Sequence, residues 1–326
     1  MQRRRLGADG PEISALGFGL MSLSSTYGPS EDEESLRAIH RALDCGIDFL
    51  DTAEIYGGGH NERLLSEVLK ERRDEVVLAT KFGLQLADGR LQANGRPDNV
   101  RRAIDGSLER LGVDHVDLYT LHRKDPDVPI EETVGTMGDL VRAGKVRQVG
   151  LSAIAPDTLR RAQTEHPIAA VQSEYSLFTR TPEEGVLDAC EELGVTFVAY
   201  SPLGRGMLTG AIRSGDDLAE QDLRRSTPRF QGESLEENVA LVERVCEIAA
   251  EKGVEPGQLA LAWLLHRRGF IVPLFGTRKP ERVASNAEAA SVSLQADEMA
   301  RIEAAVPPGA VRGAALPDFM ECLNEG

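Results

Sequence analysis

The chain alternates between short runs of β-branched and other apolar residues and longer stretches in which apolar positions recur every three to four residues. The short runs predict buried strands, and the longer periodic stretches predict amphipathic helices. Eight strands are predicted, at Ala15–Gly19, Ile47–Asp51, Val76–Lys81, Val116–His122, Val146–Ser152, Ala169–Ser173, Thr196–Ser201 and Phe270–Leu274. The intervening and final helices are predicted near residues 31–45, 61–72, 98–111, 131–143, 157–165, 182–193, 256–268 and 280–290.

Repeated alternation of strand and helix predicts parallel strands, because each helical crossover returns the chain to the same end of the sheet. Eight such units favour an α/β fold of the closed (β/α)8 TIM-barrel type. An open, doubly wound dinucleotide-binding sheet is the alternative, but no strand is followed by GxGxxG. The glycines of 57–59 and 204–206 have a different spacing. No linker or change of composition marks a boundary, so one domain over residues 1–326 is expected.

Three segments lie outside the repeat. Residues 3–14 predict a β-hairpin that closes the bottom of the barrel. Residues 203–235, after the seventh strand, form a long Arg- and Gly-rich loop, which leads to an extra helix near 235–252. The tail that begins at Pro307 is expected to fold over an apolar site. Its large apolar residues are Phe319, Met320 and Leu323.

The chain has 53 acidic and 37 basic residues and a formal net charge of −16, which would repel nucleic acids and anionic membrane surfaces. The longest uncharged run, residues 13–30, is too rich in Gly and Ser for a membrane span, and no apolar signal segment follows the basic start. No heptad repeat is evident, so a monomer is expected, with a homo-oligomer open.

Cysteine and histidine positions indicate neither a metal site nor a disulfide framework. The four cysteines are Cys45, Cys190, Cys246 and Cys322. None has a second cysteine at the spacing of a zinc or redox motif, and the histidines form no HExxH pattern. We therefore expect reduced thiols, no metal and a cytoplasmic location.

Polar side chains end three consecutive predicted strands: Asp51, Lys81 and His122. In a TIM barrel the chemistry lies at the carboxyl ends of the strands, and neighbouring strands are only ~4.8 Å apart, so these side chains can meet in one pocket. Lysine is scarce, at six of the 37 basic residues, which makes a lysine directly after a buried strand more notable.

Tyr56 can supply a proton donor to this group, because it lies five residues past Asp51. A free tyrosine has a pKa of ~10, and a nearby ammonium such as that of Lys81 is expected to lower it. Asp51 can keep Lys81 charged, and His122 can donate a hydrogen bond to a carbonyl oxygen. The set suits protonation of a developing alkoxide without a nucleophile or a metal.

At this point the chain resembles the aldo-keto reductases over almost its whole length, closest to bacterial and plant branches of broad carbonyl specificity. The matching segments, in order, are residues 46–53 with 56–57, 78–83, 107–112, 117–122, 144–152, 172–177, 199–206 and 273–286. The resemblance implies that Asp51, Tyr56, Lys81 and His122 are the catalytic residues, with Tyr56 as general acid in the NADPH-dependent reduction of aldehydes and ketones.

The resemblance also implies an extended NADPH across the top of the barrel. Tyr200 would stack on the nicotinamide, with a role as an aromatic cap of the barrel core as the alternative, and Ser152 and Gln172 would bind the carboxamide. The pyrophosphate would lie along Ser201, Leu203 and Arg205, and Asn286 would bind adenine. The chain departs from the family pattern at Ala153, Phe275 and Ser285.

The segment after the eighth strand favours NADPH over NADH. Pro280 predicts a helix start, and a helix N-terminus attracts anions. Around it stand Gly276, Thr277, Arg278, Lys279 and Arg282. These donors and cations fit an adenosine 2′-phosphate, and family members bind it at this place.

The predicted substrate pocket is apolar with one cation. Its candidate walls are Met21, Tyr27, Phe82, Arg123 and Phe178, with Phe319 and Met320 from the tail. Such walls suit an aldehyde or ketone on an aromatic or medium-length body. Arg123 is expected either to attract a substrate carboxylate or phosphate or to form a surface salt bridge.

Two other functions remain open. A Schiff-base lyase would use Lys81 as an amine nucleophile, although Asp51 would keep that amine protonated. A redox sensor of the same fold would bind the coenzyme and turn over little, as the potassium-channel β subunits that share the fold are thought to do.

Overall fold

The computed structural model describes residues 1–87, 90–317 and 325. Its strands are β1 (Arg3–Arg5), β2 (Glu12–Ser14), β3 (Gly17–Gly19), β4 (Phe49–Asp51), β5 (Val77–Phe82), β6 (Leu84–Ala87), β7 (Arg90–Ala93), β8 (Val116–Leu121), β9 (Val146–Ser152), β10 (Ile168–Glu174), β11 (Thr196–Tyr200) and β12 (Ile271–Phe275). Eight of them close into a parallel barrel in the order β3-β4-β5-β8-β9-β10-β11-β12. The predicted (β/α)8 barrel is confirmed.

Helices cover the outside of the barrel. They are α1 (Asp32–Asp44), α2 (His60–Arg72), α3 (Pro97–Leu111), α4 (Ile130–Arg142), α5 (Pro156–Glu165), α6 (Val186–Leu193), α7 (Gly232–Lys252), α8 (Pro256–Arg267), α9 (Pro280–Glu288) and α10 (Ala296–Ala305). Helix α7 is the extra helix predicted after the seventh barrel strand. The sequence analysis did not predict α10 or the antiparallel β6–β7 hairpin.

The N-terminal β1–β2 hairpin closes the bottom of the barrel, as predicted. Leu6 and Ile13 are fully buried in the cluster of apolar side chains that fills the barrel interior. The hydroxyl of Thr196, at the start of β11, accepts a hydrogen bond from the Gly7 amide at 2.7 Å and donates one to the Arg5 carbonyl at 2.8 Å. The hairpin is therefore fixed to the barrel by apolar burial and by hydrogen bonds.

The barrel seam, where the last strand β12 meets the first strand β3, has two paired positions, Leu274 with Gly17 and Phe275 with Phe18. The β10–β11 pair, by comparison, has five. Gly17 allows close approach at the seam, because a Cβ there would lie 2.8 Å from the Leu274 side chain. Phe18 and Phe275 also pack together, with ring centroids 5.6 Å apart.

The segment after β11 consists of short 3-10 turns tied to the loop between β3 and α1. Tyr27 forms an isolated β-bridge with Asp222, and the Leu223 amide donates to the Thr26 carbonyl at 3.3 Å. At the far end of the chain, the Glu325 amide donates to the Ala153 carbonyl. The predicted tail contacts Phe319 and Met320 lie outside the described residues.

Within the described part of the chain, no helix combines the length and the apolar character that a bilayer span requires. Cys45, Cys190 and Cys246 are free thiols, and Cys322 is not among the described residues.

Candidate active site

The register of three adjacent barrel strands places Asp51 and Lys81 at the same end of the barrel. Strands β4 and β5 pair in parallel, and so do β5 and β8. Lys81 is fully buried, and its ammonium donates to the Asp51 carboxylate, to the Thr52 carbonyl at 2.8 Å and to the Tyr56 hydroxyl at 3.2 Å. Three of the predicted residues therefore share one hydrogen-bonded group.

Tyr56 reaches this group because the chain turns sharply after β4. Tyr56–Gly59 forms a 3-10 turn in which Gly57 and Gly58 have φ of 58° and 60°, a conformation that favours glycine. The Tyr56 ring lies edge-on to the His122 ring, with centroids 5.8 Å apart and an interplanar angle of 84°. We call Asp51, Tyr56, Lys81 and His122 the polar cluster.

Burial and charge act against each other on the Asp51–Lys81 pair. Burial by itself would lower the pKa of Lys81, but the Asp51 carboxylate and the Tyr56 oxygen raise it above its ordinary value. Burial raises the pKa of Asp51, although Lys81 and a hydrogen bond from Gln172 at 3.1 Å both lower it. The ammonium is therefore held in its charged form next to the phenol.

Burial raises the pKa of Tyr56 above its ordinary value, and the nearby Lys81 only partly offsets this. The effect of the ammonium has the expected sign, but the net shift is opposite to the prediction, because desolvation penalises the phenolate more strongly. Tyr56 is therefore protonated across the neutral range.

His122 is an uncharged group in this site. Burial, helped by the positive charges of Lys81 and Arg123, holds the pKa of His122 well below its ordinary value. Its Nδ1 atom is buried without a hydrogen-bond partner in the described structure. A neutral imidazole can donate one N–H to a hydrogen-bond acceptor, as the sequence analysis expected.

The residues predicted to hold the nicotinamide lie around the polar cluster, at the carboxyl ends of the barrel strands, which we call the barrel mouth. Gln172 donates to Asp51 and Ser152 accepts from Arg123 at 3.2 Å, so both polar side chains already have protein partners. Tyr200 packs against the apolar interior cluster and is half-buried at the mouth. That position permits both the core-capping and the stacking interpretation.

The segment predicted to line the pyrophosphate has an unusual backbone. Ser201 and Arg205 have positive φ, of 51° and 55°. The Arg205 guanidinium is buried, with an ion pair to Glu174 at 2.9 Å and a contact with the Tyr27 hydroxyl at 3.4 Å. Its side chain therefore ties β10 to the loop after β3, and Leu203, also buried, precedes it in the same turn.

Two of the cationic side chains predicted to bind the 2′-phosphate already bind other groups of the protein. Arg278 donates to the carbonyls of residues 27–29, and Lys279 forms an ion pair with Glu34 at 2.8 Å. Arg282 is exposed on the first turn of α9 and forms no ion pair with a described residue. Gly276 and Thr277 precede that helix, and a Cβ at Gly276 would lie 2.8 Å from the Gly19 carbonyl oxygen.

The part of the predicted site that would hold adenine contains one buried amide side chain. Asn286 on α9 is buried, with 8% of its surface exposed. Ser285 is one of the positions at which the chain departs from the family pattern. Its hydroxyl donates a hydrogen bond to the Glu255 carboxylate at 2.7 Å.

Comparison with known proteins identifies the family. The model of the aldo/keto reductase family matches residues 15–307. The chain belongs to the aldo/keto reductase family. It is therefore an oxidoreductase that acts on carbonyl compounds.

Two solved aldo-keto reductase structures are similar over nearly the whole chain. Glycerol dehydrogenase AKR11B4 from Gluconobacter oxydans is 30% identical, with a TM-score of 0.85 over 94% of this chain and 96% of that one. The thermostable aldo-keto reductase Tm1743, in complex with the inhibitor epalrestat, is 31% identical, with a TM-score of 0.74 over 94% of this chain and 100% of that one.

One predicted pocket wall of this aldo-keto reductase is wrong. Phe82 is fully buried and stacks on Tyr119 with ring centroids 4.5 Å apart, in the layer between strands and helices. Successive residues of a strand point to opposite faces, so the inward Lys81 turns its neighbour outward. Thr80, on the other side of Lys81, likewise points outward and donates to Glu62 on α2.

The remaining predicted walls lie near the barrel mouth. Met21 begins a short turn after β3, and Tyr27 lies beneath the Arg224 guanidinium, 4.8 Å from its ring centroid. Phe178 is buried beside Gly204. Arg123 is buried next to His122. The sequence analysis assigned no role to Glu174, which forms the ion pair with Arg205. The two residues are 31 positions apart, so no local pattern indicates that they meet.

Proposed function

We propose that this aldo-keto reductase reduces aldehydes and ketones to alcohols with NADPH, and that Tyr56 is the general acid. The observation that supports the proposal is the hydrogen bond of 3.2 Å between the Tyr56 hydroxyl and the buried, charged Lys81. A protonated phenol is held there beside a neutral imidazole, where a carbonyl oxygen can accept hydrogen bonds from both.

NADPH, when bound, supplies the hydride that adds to the carbonyl carbon. The Tyr56 hydroxyl donates its proton to the oxygen as that oxygen gains negative charge. Lys81 stabilises the phenolate that remains, and Asp51 holds the lysine charged and in place. His122 orients the carbonyl by donating an N–H hydrogen bond to its oxygen. Because the pKa of His122 is low, the imidazole makes this hydrogen bond in its neutral form.

The described residues fit a nicotinamide coenzyme. Tyr200 offers an aromatic face at the mouth, and Ser152 and Gln172 lie beside the polar cluster with amide and hydroxyl groups suited to a carboxamide. At the other end, Asn286 would hold adenine. The exposed Arg282 on the first turn of α9 would hold the 2′-phosphate, with Lys279 able to exchange Glu34 for it.

The coenzyme preference tests this assignment. Arg282→Ala should lower the ratio of kcat/KM for NADPH over NADH by about tenfold, because one charge-assisted contact to the phosphate is lost. Arg301→Ala is the matched control, since Arg301 is also exposed and its ion pair with Glu251 involves none of the residues of the predicted coenzyme site. Equal use of both coenzymes by the wild type, unchanged in Arg282→Ala, would contradict the NADPH assignment.

The pH dependence of the reaction follows from the shifted pKa values of Tyr56 and His122. At saturating NADPH, kcat/KM for aldehyde reduction should be level from slightly acidic pH up to about pH 10, because Tyr56 stays protonated and His122 stays neutral. It should fall only above that range, as Tyr56 ionises. Alcohol oxidation, which needs the phenolate as base, should rise with pH instead. An inflection of the reduction rate near pH 6.5, the ordinary histidine value, would show that His122 titrates in the working enzyme.

A panel of aldehydes and ketones, with the loss of NADPH absorbance as readout, tests the activity itself. Turnover of several members supports the reductase. Tight coenzyme binding without turnover of any member would favour the sensor. Covalent trapping of substrate on Lys81 by borohydride would favour the lyase, which the three hydrogen bonds of the charged ammonium oppose.

A further inference from the structure

Arg123 is a buried cation at the barrel mouth, and its hydrogen-bond acceptors among the described residues are all neutral. It follows His122 in the chain and is 6% exposed. Its guanidinium donates to the His122 carbonyl at 2.7 Å and to the Ser152 hydroxyl at 3.2 Å, and it reaches the Tyr200 hydroxyl. These groups orient the guanidinium but do not neutralise it.

The other cations near His122 and Tyr200 have carboxylate partners. Asp51 neutralises Lys81, and Glu174 neutralises Arg205 while also lying 3.5 Å from Arg229. No carboxylate of the described residues lies within ion-pair distance of Arg123. Among the described residues, Arg123 is therefore a cation of the mouth without a carboxylate partner, in a protein whose net charge is −16.

The acidic residues that lie next to Arg123 in sequence, or that contact its neighbour Lys124, have other partners. Asp125 accepts from the amides of Gly95 and Asp127, at 3.0 and 2.9 Å. Glu325, which is fixed near Ala153, pairs with Lys124 at 2.9 Å. The charge of Arg123 is thus left for a group that the described protein does not supply.

A buried guanidinium cannot relieve its desolvation by losing a proton, because it stays protonated at any pH a protein tolerates. Burial of such a charge without a counter-ion is unfavourable, and an anion from outside would remove the penalty. A guanidinium is planar and matches a carboxylate with two parallel hydrogen bonds. A phosphate dianion would need a second cation, and the neighbouring Lys81 and Arg205 are already neutralised.

We propose that Arg123 binds a carboxylate of the substrate, so that the preferred substrates are short carbonyl compounds that carry a carboxylate. This inference rests on the proposed reductase function. Since Arg123 is the next residue after His122, carboxylate and carbonyl would be bound by consecutive residues of one loop. The mostly apolar walls would then set the length and shape of the body between them.

Matched pairs of acid and methyl ester test the inference. Glyoxylate, succinate semialdehyde and carboxybenzaldehyde are each compared with their methyl esters, which keep the aldehyde and remove the charge. In the wild type, kcat/KM for at least one acid should exceed that of its ester by about tenfold or more, as expected for a buried charge-assisted contact. In Arg123→Gln this ratio should fall to about one, and Arg123→Lys should retain part of it.

Arg142→Gln is the control variant. Arg142 is exposed on α4 and pairs with Asp139 on its own helix, so the same change in net charge should leave the acid-to-ester ratio as in the wild type. Binding gives a second readout, because succinate should inhibit the wild type competitively against the aldehyde and should not inhibit Arg123→Gln. Circular dichroism of each variant shows whether it is folded.

The outcomes separate the inference from the proposed function. Reduction of the esters with no preference for any acid in the wild type overturns the carboxylate site while the reductase stands, and this result needs no variant. A preference for an acid that persists in folded Arg123→Gln also overturns it. If neither acids nor esters are reduced with NADPH, the proposed function itself fails.

Discussion

Replacing Tyr56 by phenylalanine should lower kcat for aldehyde reduction by about a hundredfold to ten-thousandfold, the usual contribution of a positioned general acid. The variant loses the hydroxyl that lies 3.2 Å from Lys81 and keeps the ring that packs edge-on against His122. Structure around the site should therefore be preserved, and the coenzyme should bind with nearly unchanged affinity. Steady-state kinetics and a fluorescence titration with NADPH measure the two quantities separately.

Tyr119→Phe provides the matched control for this experiment. Tyr119 is also buried, but its hydroxyl makes one long hydrogen bond of 3.4 Å to the Val100 carbonyl on α3, outside the barrel interior. Loss of that hydroxyl should change kcat less than about threefold, because the group does not face the reacting atoms. Wild-type turnover in Tyr56→Phe would show that another group protonates the alkoxide.

Lys81→Met should produce the largest loss of stability among single substitutions at the site. The change leaves the Asp51 carboxylate, 2% exposed, without its cation, and breaking a buried ion pair in this way costs about 3–5 kcal/mol. Activity should also be lost, since the phenolate left by proton transfer would have no stabilising charge. Urea unfolding of the variant and the wild type, with kinetics on the same samples, measures both effects.

The pH dependence of unfolding identifies the cause of that loss. Burial already raises the pKa of Asp51, and removal of Lys81 should raise it further. A folded-state pKa above the unfolded one means that the penalty is present at high pH and disappears as the pH falls and Asp51 takes up a proton. The free energies of unfolding of Lys81→Met and the wild type should thus converge on acidification.

The double variant Asp51→Leu/Lys81→Met separates stability from catalysis. It removes both charges, so it should regain most of the stability that Lys81→Met loses, and it should remain inactive. A double variant as unstable as Lys81→Met would mean that the packing of the lysine stem, and not the unpaired carboxylate, causes the loss.

Much of the barrel could be predicted because its signals are local. Buried strands and amphipathic helices are visible in the periodicity of apolar residues. Because parallel strands bring their carboxyl ends to the barrel mouth, the sequence also predicted that Asp51 and Lys81 lie close together. The same strand periodicity excludes Phe82 from the pocket once Lys81 points inward. The β6–β7 hairpin also had a sequence signal, the dipeptide Asp88-Gly89 between two short runs in which leucine and glutamine are neighbours.

Other features depend on contacts between distant loops, and no local pattern indicates them. Arg278 and Lys279 were predicted to bind the 2′-phosphate, yet both have protein partners in residues 27–34, about 250 positions earlier in the chain. The net shift of the Tyr56 pKa also required the structure, because burial and the Lys81 charge have opposite signs and only their balance decides.

The two-position seam between β3 and β12 has a consequence for biosynthesis. Its partners, Phe18 and Phe275, are separated by most of the chain, so the ring of strands cannot be completed until translation has passed β12. Contacts this distant in sequence form late and slow the overall rate of folding. Until then the nascent polypeptide exposes two unpaired strand edges, which can pair with other chains during elongation.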